Sequence, residues 1–347
     1  MIRRLTLYLV IAASLALLLG QLWRLFEMPS EATPAPRAAT RAGDRASRPA
    51  DITGKGSEAA KAAEMPRVVV SPQMPLKPAP IIEVAEGTAG LLGSYRDKYN
   101  VRNAVSRIQQ IPVAPTQGFR FVVFGDSRGN ASVWSRIAAS INKYDAVFAV
   151  NTGDMVSTGR AQEFADYLIP TLEANARNYE FLPVMGNHDS GDNGREYEYL
   201  FGADARVYRF HYGDSVFVVL DNGSVGVRLP WSEQLALAEK WLAEPPNTHK
   251  FVFTHKPPAN VRKWAYHAAS YSESMALTKL MSRHYVDHVF VGHIHAYSTA
   301  EVGGVGYTVT GGGGAYLHNR FGPTGSKHHF VVVDVTPNGV KQQVVRF

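Results

Sequence analysis

Cysteine is absent from all 347 residues of the chain. Disulfide scaffolds, cysteine nucleophiles, thiolate zinc sites and iron–sulfur clusters are therefore excluded. The strong metal ligands that remain are His, Asp, Glu and Asn, so any metal in this protein is held by nitrogen and oxygen. All twelve histidines lie after residue 187.

Charged residues are also few: they make up 19% of the chain, whereas 45% of the residues are hydrophobic and 11% are aromatic. This composition supports a large core and excludes disordered, collagen-like and multi-span membrane proteins. Residues 1–80 hold eleven of the 36 basic and six of the 30 acidic residues, so most of the net charge of +6 belongs to this region. The remainder is nearly neutral, and we expect no nucleic-acid partner.

The N-terminus contains one long apolar run. Residues 5–23 form nineteen positions without a charge, preceded by Arg3 and Arg4. This length suffices to span a bilayer, and the run is followed by no A-x-A-like cleavage site. We therefore predict a membrane anchor over residues 1–27, in preference to a cleaved signal peptide or a buried core helix.

Arg3 and Arg4 favour a cytoplasmic N-terminus, although Arg24, Arg37 and Arg41 follow the run and weaken that inference. We expect a single-pass plasma-membrane protein whose catalytic domain is periplasmic or extracellular. Membrane contact would occur through the N-terminal helix.

Three further segments follow the anchor. Residues 28–80 are rich in Ala, Pro, Arg, Ser and Thr and predict a disordered linker, because they offer too little apolar surface to offset the entropy of ordering. Residues 81–117 regain apolar residues and predict a helical lead-in packed on the domain. The catalytic domain is expected over residues 118–347.

Strand and helix patterns alternate after residue 117, which predicts an α/β fold. Strands are predicted at residues 119–124, 146–151, 181–185, 216–221, 251–254 and 288–291. Helices are predicted at residues 131–143, 162–176, 232–243 and 274–284. The last segments, residues 305–310, 329–335 and 339–347, are expected to form an antiparallel second sheet.

Five of the predicted strands end in glycine or metal-ligand residue types. The motifs are Gly125-Asp126-Ser127-Arg128-Gly129, Gly153-Asp154-Met155-Val156, Gly186-Asn187-His188-Asp189, Thr254-His255 and Gly292-His293-Ile294-His295. Carboxylate, amide and imidazole donors suit a pair of divalent ions such as Mn, Fe or Zn. Each motif alone is common in ordinary turns, whereas five in this order are not.

The order and spacing of these motifs resemble the calcineurin-like metallophosphoesterase superfamily over about residues 118–335. The resemblance implies a four-layer α/β/β/α sandwich with two mixed β-sheets. It also implies a metal-dependent phosphoesterase that hydrolyses a phosphate monoester or diester with a hydroxide held between two metal ions.

The resemblance assigns roles to individual residues. Asp154 would bridge two divalent metal ions, and His188 would contact the substrate phosphate and protonate the leaving oxygen. The other ligands would divide into two sets, Asn187, His255 and His293 at one ion and Asp126 and His295 at the other.

Two positions depart from the family pattern. Arg128 stands where a histidine is usual, so one metal site lacks an expected imidazole; the guanidinium could bind a phosphate oxygen or form an ion pair with an acid such as Asp126. Ser157 stands where several branches carry an Asp that orients the catalytic histidine, and Asp189 is a candidate replacement. We include Arg128 with His188 among the catalytic candidates.

The glycine run at residues 311–314 is expected to form a loop near the metal centre. Tyr316 and His318 follow it and are candidate substrate-binding residues, with a simple structural turn as the alternative. The remaining histidines are interpreted as ordinary packing or surface residues: His211, His249, His267, His284, His288, His328 and His329.

The departures at Arg128 and Ser157 also support a second hypothesis, a catalytically weak binding or regulatory module on the same fold. A nuclease is disfavoured because the domain lacks a long basic run.

Overall fold

The computed structural model describes residues 82–113, 118–225, 229–245 and 248–347. The predicted anchor at residues 1–27 and the predicted linker at residues 28–80 lie outside these ranges. No helix within the described ranges has the length and hydropathy that crossing a bilayer requires.

A five-stranded mixed sheet, the first sheet, has the order β11-β10-β1-β2-β3. Strands β1, β2 and β3 are parallel, while β10 pairs antiparallel with both β1 and β11. The bounds are β1 Phe119–Phe124, β2 Phe148–Asn151, β3 Glu180–Pro183, β10 His329–Thr336 and β11 Gly339–Arg346.

A six-stranded mixed sheet, the second sheet, has the order β4-β5-β6-β7-β9-β8. Its central strands β5, β6, β7 and β9 are parallel, and the edge strands β4 and β8 are antiparallel to their neighbours. The bounds are β4 Tyr208–Tyr212, β5 Ser215–Val219, β6 His249–Phe253, β7 His288–Val291, β8 Tyr297–Val302 and β9 Val305–Thr310.

Helices lie between the strands and before β1. The α-helices are α1 Glu86–Leu92, α2 Arg96–Tyr99, α3 Val101–Gln110, α4 Ala131–Ile141, α5 Ala161–Glu163, α6 Ile169–Asn175, α7 Arg195–Phe201, α8 Trp231–Ala243, α9 Tyr271–Arg283 and α10 Gly322–Gly325. A π-helical turn, Phe164–Leu168, joins α5 to α6, and 3₁₀ turns occur at Gly93–Tyr95, Asn142–Tyr144, Ala265–His267 and Asn319–Phe321.

The two sheets pack face to face through aromatic side chains. The ring of Phe121 on β1 lies 5.4 Å from that of Phe217 on β5 and 5.1 Å from that of Phe251 on β6, and all three are fully buried. Trp134 of α4 packs in the same core cluster, and Leu242 of α8 belongs to a second cluster with alternate residues of the second sheet. The four-layer α/β/β/α sandwich with two mixed β-sheets is confirmed.

The prediction that the three C-terminal segments form an antiparallel second sheet is wrong, because they are divided between two mixed sheets. Strand β9 joins the second sheet, parallel to β7, while β10 and β11 extend the first sheet beside β1. Local periodicity identifies strands but leaves their partners open, because β1 and β10 are about two hundred residues apart in the chain.

Candidate metal centre

The carboxyl ends of parallel strands from both sheets converge at one edge of the sandwich. Asp126 and Asp154 follow β1 and β2, and Asn187 follows β3 in the first sheet, while His255 follows β6 and His293 follows β7 in the second. Backbone hydrogen bonds connect these strand ends. Ligand sites of α/β sheets gather at such ends.

Three of the predicted ligands have left-handed backbone conformations, with φ of 56° at Asp126, 58° at Asp154 and 65° at His293. This region costs a non-glycine residue about 1–2 kcal/mol. The surrounding fold therefore imposes an unfavourable backbone conformation on three residues whose side chains point into one site.

Four donor groups form the first half of the site. The Nε2 atom of His255 lies 3.1 Å from the Oδ1 atom of Asn187, 3.1 Å from Nδ1 of His293 and 3.4 Å from Oδ1 of Asp154. His255 donates its Nδ1 proton to the carbonyl oxygen of Thr152 at 2.8 Å, so its Nε2 atom carries the lone pair that faces the other donors.

The second half of the site contains Asp126, Asp154 and His295, whose ligand atoms all lie within 4.8 Å of one another. The Nε2 atom of His295 lies 3.4 Å from Oδ1 of Asp126. The opposite ring nitrogen of His295 donates to the carbonyl oxygen of Tyr316 at 2.8 Å. Asp154 belongs to both halves, so the structure brings all six predicted ligands together.

The donor set fits divalent cations. The Oδ1 atom of Asp126 is buried without a hydrogen-bond partner among the described residues, an arrangement that is costly unless a cation compensates it. Burial, followed by the proximity of the His255 ring, lowers the pKa of His293 to about 2, which keeps its imidazole neutral and able to bind a metal. Burial opposes protonation of His295, but the negative charge of the neighbouring Asp126 carboxylate, 3.4 Å from Nε2, raises the pKa of this histidine.

His188 lies beside this centre, with Nε2 4.0 Å from Oδ2 of Asp154 and a side chain that is 36% exposed. Its Nδ1 atom donates to the carbonyl oxygen of Ser157 at 2.8 Å. The backbone of Ser157 thus orients the ring, at the position where the family pattern would place an aspartate.

The suggestion that Asp189 orients His188 is wrong. The buried carboxylate of Asp189 instead accepts backbone N–H groups from Asp154, Met155, Val156 and Gly186, at distances of 2.8–3.1 Å. Burial, followed by the charge of Asp154, raises the pKa of Asp189 to about 7, while the hydrogen bonds from Gly186 and Val156 oppose the rise. Asp189 thus fixes the backbone that carries two motifs.

Arg128 directs its guanidinium toward Asp154, with Nε 3.5 Å from Oδ2. The sequence left open an ion pair of Arg128 with a nearby acid such as Asp126, and the carboxylate that the guanidinium reaches is that of Asp154. The Nε atom is buried without a hydrogen bond in the described part of the chain, and the side chain is 22% exposed. Arg128 therefore has donor capacity left for an anion at the centre.

Two glycines permit the close approach of these loops. A Cβ atom at Gly186 would lie 2.2 Å from the backbone nitrogen of Asp154 and 2.3 Å from its Oδ1 atom, and one at Gly153 would lie 2.5 Å from Nδ1 of His255. Gly153 also has a φ of 103°. Only glycine fits at these positions without displacing a predicted ligand.

The other predicted residues lie at the rim. Tyr316 is 93% exposed and reaches the site through its backbone carbonyl, while the ring of His318 lies 5.1 Å from that of His295. His267, interpreted from the sequence as an ordinary packing or surface residue, also lies here, with its ring centre 5.5 Å from that of His293. Its position twelve residues after His255, in the loop that leaves the same strand end, was the available indication.

Two facing mixed sheets with paired carboxylate and imidazole donors at one edge define the metallophosphoesterase class. The calcineurin-like phosphoesterase family matches residues 119–297, which is just over half of the chain. The chain belongs to this family of phosphoric ester hydrolases.

The alignment with one solved structure supports the fold. The purple acid phosphatase PPD1 from yellow lupin (Lupinus luteus) seeds aligns with a TM-score of 0.55 and 18% identity, over 67% of this chain and 52% of the lupin chain. The chain thus spans about half the length of the lupin protein. A dimetal phosphatase from Danio rerio aligns with a TM-score of 0.47 and 13% identity, over 67% of this chain and 99% of that chain. No curated protein matches the chain in sequence.

Proposed function

We propose that this protein hydrolyses a phosphate monoester or diester with two divalent ions, Mn, Fe or Zn, held at the candidate metal centre. The observation that carries the proposal is the position of Asp154, which belongs to both groups of donor atoms. Ions bound there would lower the pKa of a shared water and neutralise charge on the phosphoryl oxygens.

The proposed reaction forms a bond from a water oxygen to phosphorus and breaks the bond from phosphorus to the leaving oxygen. His188 supplies the proton that the leaving oxygen requires. Its Nδ1 atom is held by Ser157, so its partly exposed Nε2 atom is directed toward the metal centre, where the ester would lie. The products are a phosphate and an alcohol, and His188 recovers its proton from water.

Arg128 is proposed to bind a non-bridging phosphoryl oxygen. Its guanidinium is always protonated and presents planar donors that match two oxygens of a phosphate. The contact with Asp154 holds the side chain at the edge of the centre. Tyr316 and His318 at the rim are proposed to contact the leaving group.

The test is phosphate release by the full chain loaded with Mn²⁺. Comparison of 4-nitrophenyl phosphate with bis(4-nitrophenyl) phosphate assigns the ester class. Asp154→Asn is expected to abolish turnover of both, because a neutral amide cannot bridge two cations. Full activity of this variant would overturn the proposal.

A catalytically weak binding or regulatory module is the second candidate, favoured by the cationic Arg128 beside Asp154. A guanidinium at this carboxylate competes with a metal cation for the same negative charge. If the native protein is inert while Arg128→His alone restores a second metal and turnover, this second candidate is correct.

We also propose that the uncharged run at residues 5–23 anchors the protein and places the catalytic domain outside the plasma membrane. A reporter that is active only outside the cytoplasm, fused after Phe347, is expected to be active. A silent reporter at normal expression would refute this location.

A further inference from the structure

A cavity of about 460 Å³ lies on one side of the candidate metal centre, to which the rings of Tyr266 and His318 connect it. We call it the lateral pocket, and its lining residues are Lys263, Tyr266, Tyr297, Ser298, Arg320 and Phe321. The lining combines two cationic side chains with three aromatic rings and contains no carboxylate. A cavity of this composition has the chemistry to bind an organic anion.

The cations of the lateral pocket have unused donors. The guanidinium of Arg320 lies 4.8 Å from the ring centre of Tyr266, and it makes no ion pair with a carboxylate among the residues that the structure describes. The ammonium group of Lys263 donates to the carbonyl oxygen of Thr299, which leaves two of its three N–H donors. Both groups could therefore bind an anion without breaking an ion pair.

Aromatic rings connect the lateral pocket to the predicted metal ligands. The ring of Tyr266 lies 4.9 Å from that of His267, which lies 5.5 Å from that of His293. The ring of His318 lies 6.3 Å from that of Tyr266 and 5.1 Å from that of His295. A substrate held at the metal centre could thus extend a short chain across these rings into the pocket.

We propose that the lateral pocket binds a second anionic group, a phosphate or a carboxylate, carried by the leaving alcohol of the substrate. This inference rests on the proposed phosphoesterase function, and it narrows the substrate class to organic phosphates with a second anion. Arg320 supplies a planar pair of donors for the anion and Lys263 a point charge. The rings of Tyr266 and His318 contact the spacer between the two anions.

Three matched esters test the proposal: hexyl phosphate, 6-(phosphonooxy)hexanoate and hexane-1,6-diyl bisphosphate. For the two esters that carry a second anionic group, the full metal-loaded protein is expected to show a kcat/KM roughly tenfold or more above that for hexyl phosphate at low salt. The reason is that a charge-assisted contact is worth about a factor of ten or more in binding. The value for the bisphosphate is halved, since it has two scissile ends. Preference for only one of the two esters identifies the anion that the pocket binds.

The double variant Lys263→Gln with Arg320→Gln is expected to reduce the ratio of the kcat/KM values to about one. This ratio is unaffected by a general loss of folded enzyme. The matched control is Arg136→Gln, since Arg136 also stacks on an aromatic ring, 4.9 Å from the centre of Phe347, and the control should keep the wild-type ratio.

Equal kcat/KM values of the wild type for the three esters would overturn the role of the lateral pocket while leaving the phosphoesterase proposal intact. A preference that survives in the double variant would overturn it as well. If the wild type hydrolyses none of the three monoesters but releases 4-nitrophenol from bis(4-nitrophenyl) phosphate, the inference fails while the phosphoesterase proposal stands; if it hydrolyses none of these compounds nor 4-nitrophenyl phosphate, both fail.

Discussion

The Nδ1 atom of His188 donates a hydrogen bond to the carbonyl oxygen of Ser157 at 2.8 Å. A backbone carbonyl orients this ring without adding a negative charge next to it. The Nε2 atom of His188 therefore faces the centre in a fixed direction.

Replacement of His188 by Gln tests its role as the proton donor. An alkyl leaving group needs a proton more than 4-nitrophenolate does, so kcat for hexyl phosphate should fall by about 10²–10⁴. The decrease for 4-nitrophenyl phosphate should be much smaller. Steady-state kinetics on the two esters measures the difference, and equal losses on both would show that His188 acts in some other way.

Arg128→His exchanges a permanent cation beside Asp154 for a potential metal ligand. We expect tighter binding of the second Mn²⁺ ion, because Coulomb repulsion at the carboxylate is removed. We also expect a higher KM, because a phosphate contact is lost. Metal titration calorimetry measures the first effect, with Arg136→His as the control, and unchanged affinity for both ions would contradict the competition.

Asp189→Asn tests the buried carboxylate that accepts four backbone N–H groups. An amide nitrogen would replace one of its oxygens and face two donors, so two hydrogen bonds are lost and the free energy of unfolding should fall by about 2–4 kcal/mol. Denaturant unfolding measures this change. The control Asp192→Asn alters a side chain that is 65% exposed and should have little effect; an equally small change at Asp189 would contradict its structural role.

His329 makes stability depend on pH. Burial lowers the pKa of this histidine to about 4, whereas the unfolded chain has the ordinary value of about 6.5. Between these values the unfolded state binds more protons, so this residue's contribution to the free energy of unfolding falls as pH decreases. From pH 7.5 to 5.0 its share of the loss is about 2 kcal/mol.

The variant His329→Gln should therefore lose less stability than the wild type between these two pH values. Denaturant unfolding at both pH values measures the difference, and His328→Gln at the half-buried neighbouring position serves as the control. An identical pH dependence in the wild type and in His329→Gln would contradict the buried, neutral state of His329.

The position of the candidate site could be predicted from the sequence because strand ends are encoded locally. Asp126 and Asp154 follow apolar runs and glycines, and parallel strands bring such ends to one edge. Strands β4 and β8 were not predicted, although the alternation of aromatic and basic residues in Tyr208–Tyr212 is typical of a strand.

Side-chain direction could not be predicted in the same way. Asp189 and His188 are adjacent in sequence. The carboxylate of Asp189 accepts a hydrogen bond from the backbone of Asp154, whereas the imidazole of His188 faces the candidate metal centre. The contact of His267 with His293 depends on the path of a long loop. The pairing of β10 with β1 depends on two segments that lie far apart in the chain. These features are decided by tertiary packing.

The most direct measurement locates the metal itself. Crystals of the full chain grown with Mn²⁺ should show two anomalous scattering peaks, one on each side of Asp154, the first among Asn187, His255 and His293 and the second beside Asp126 and His295. Crystals of Asp154→Asn should lose at least one peak. Absence of both peaks from the wild type, or peaks only at other residues, would contradict the paired metal centre.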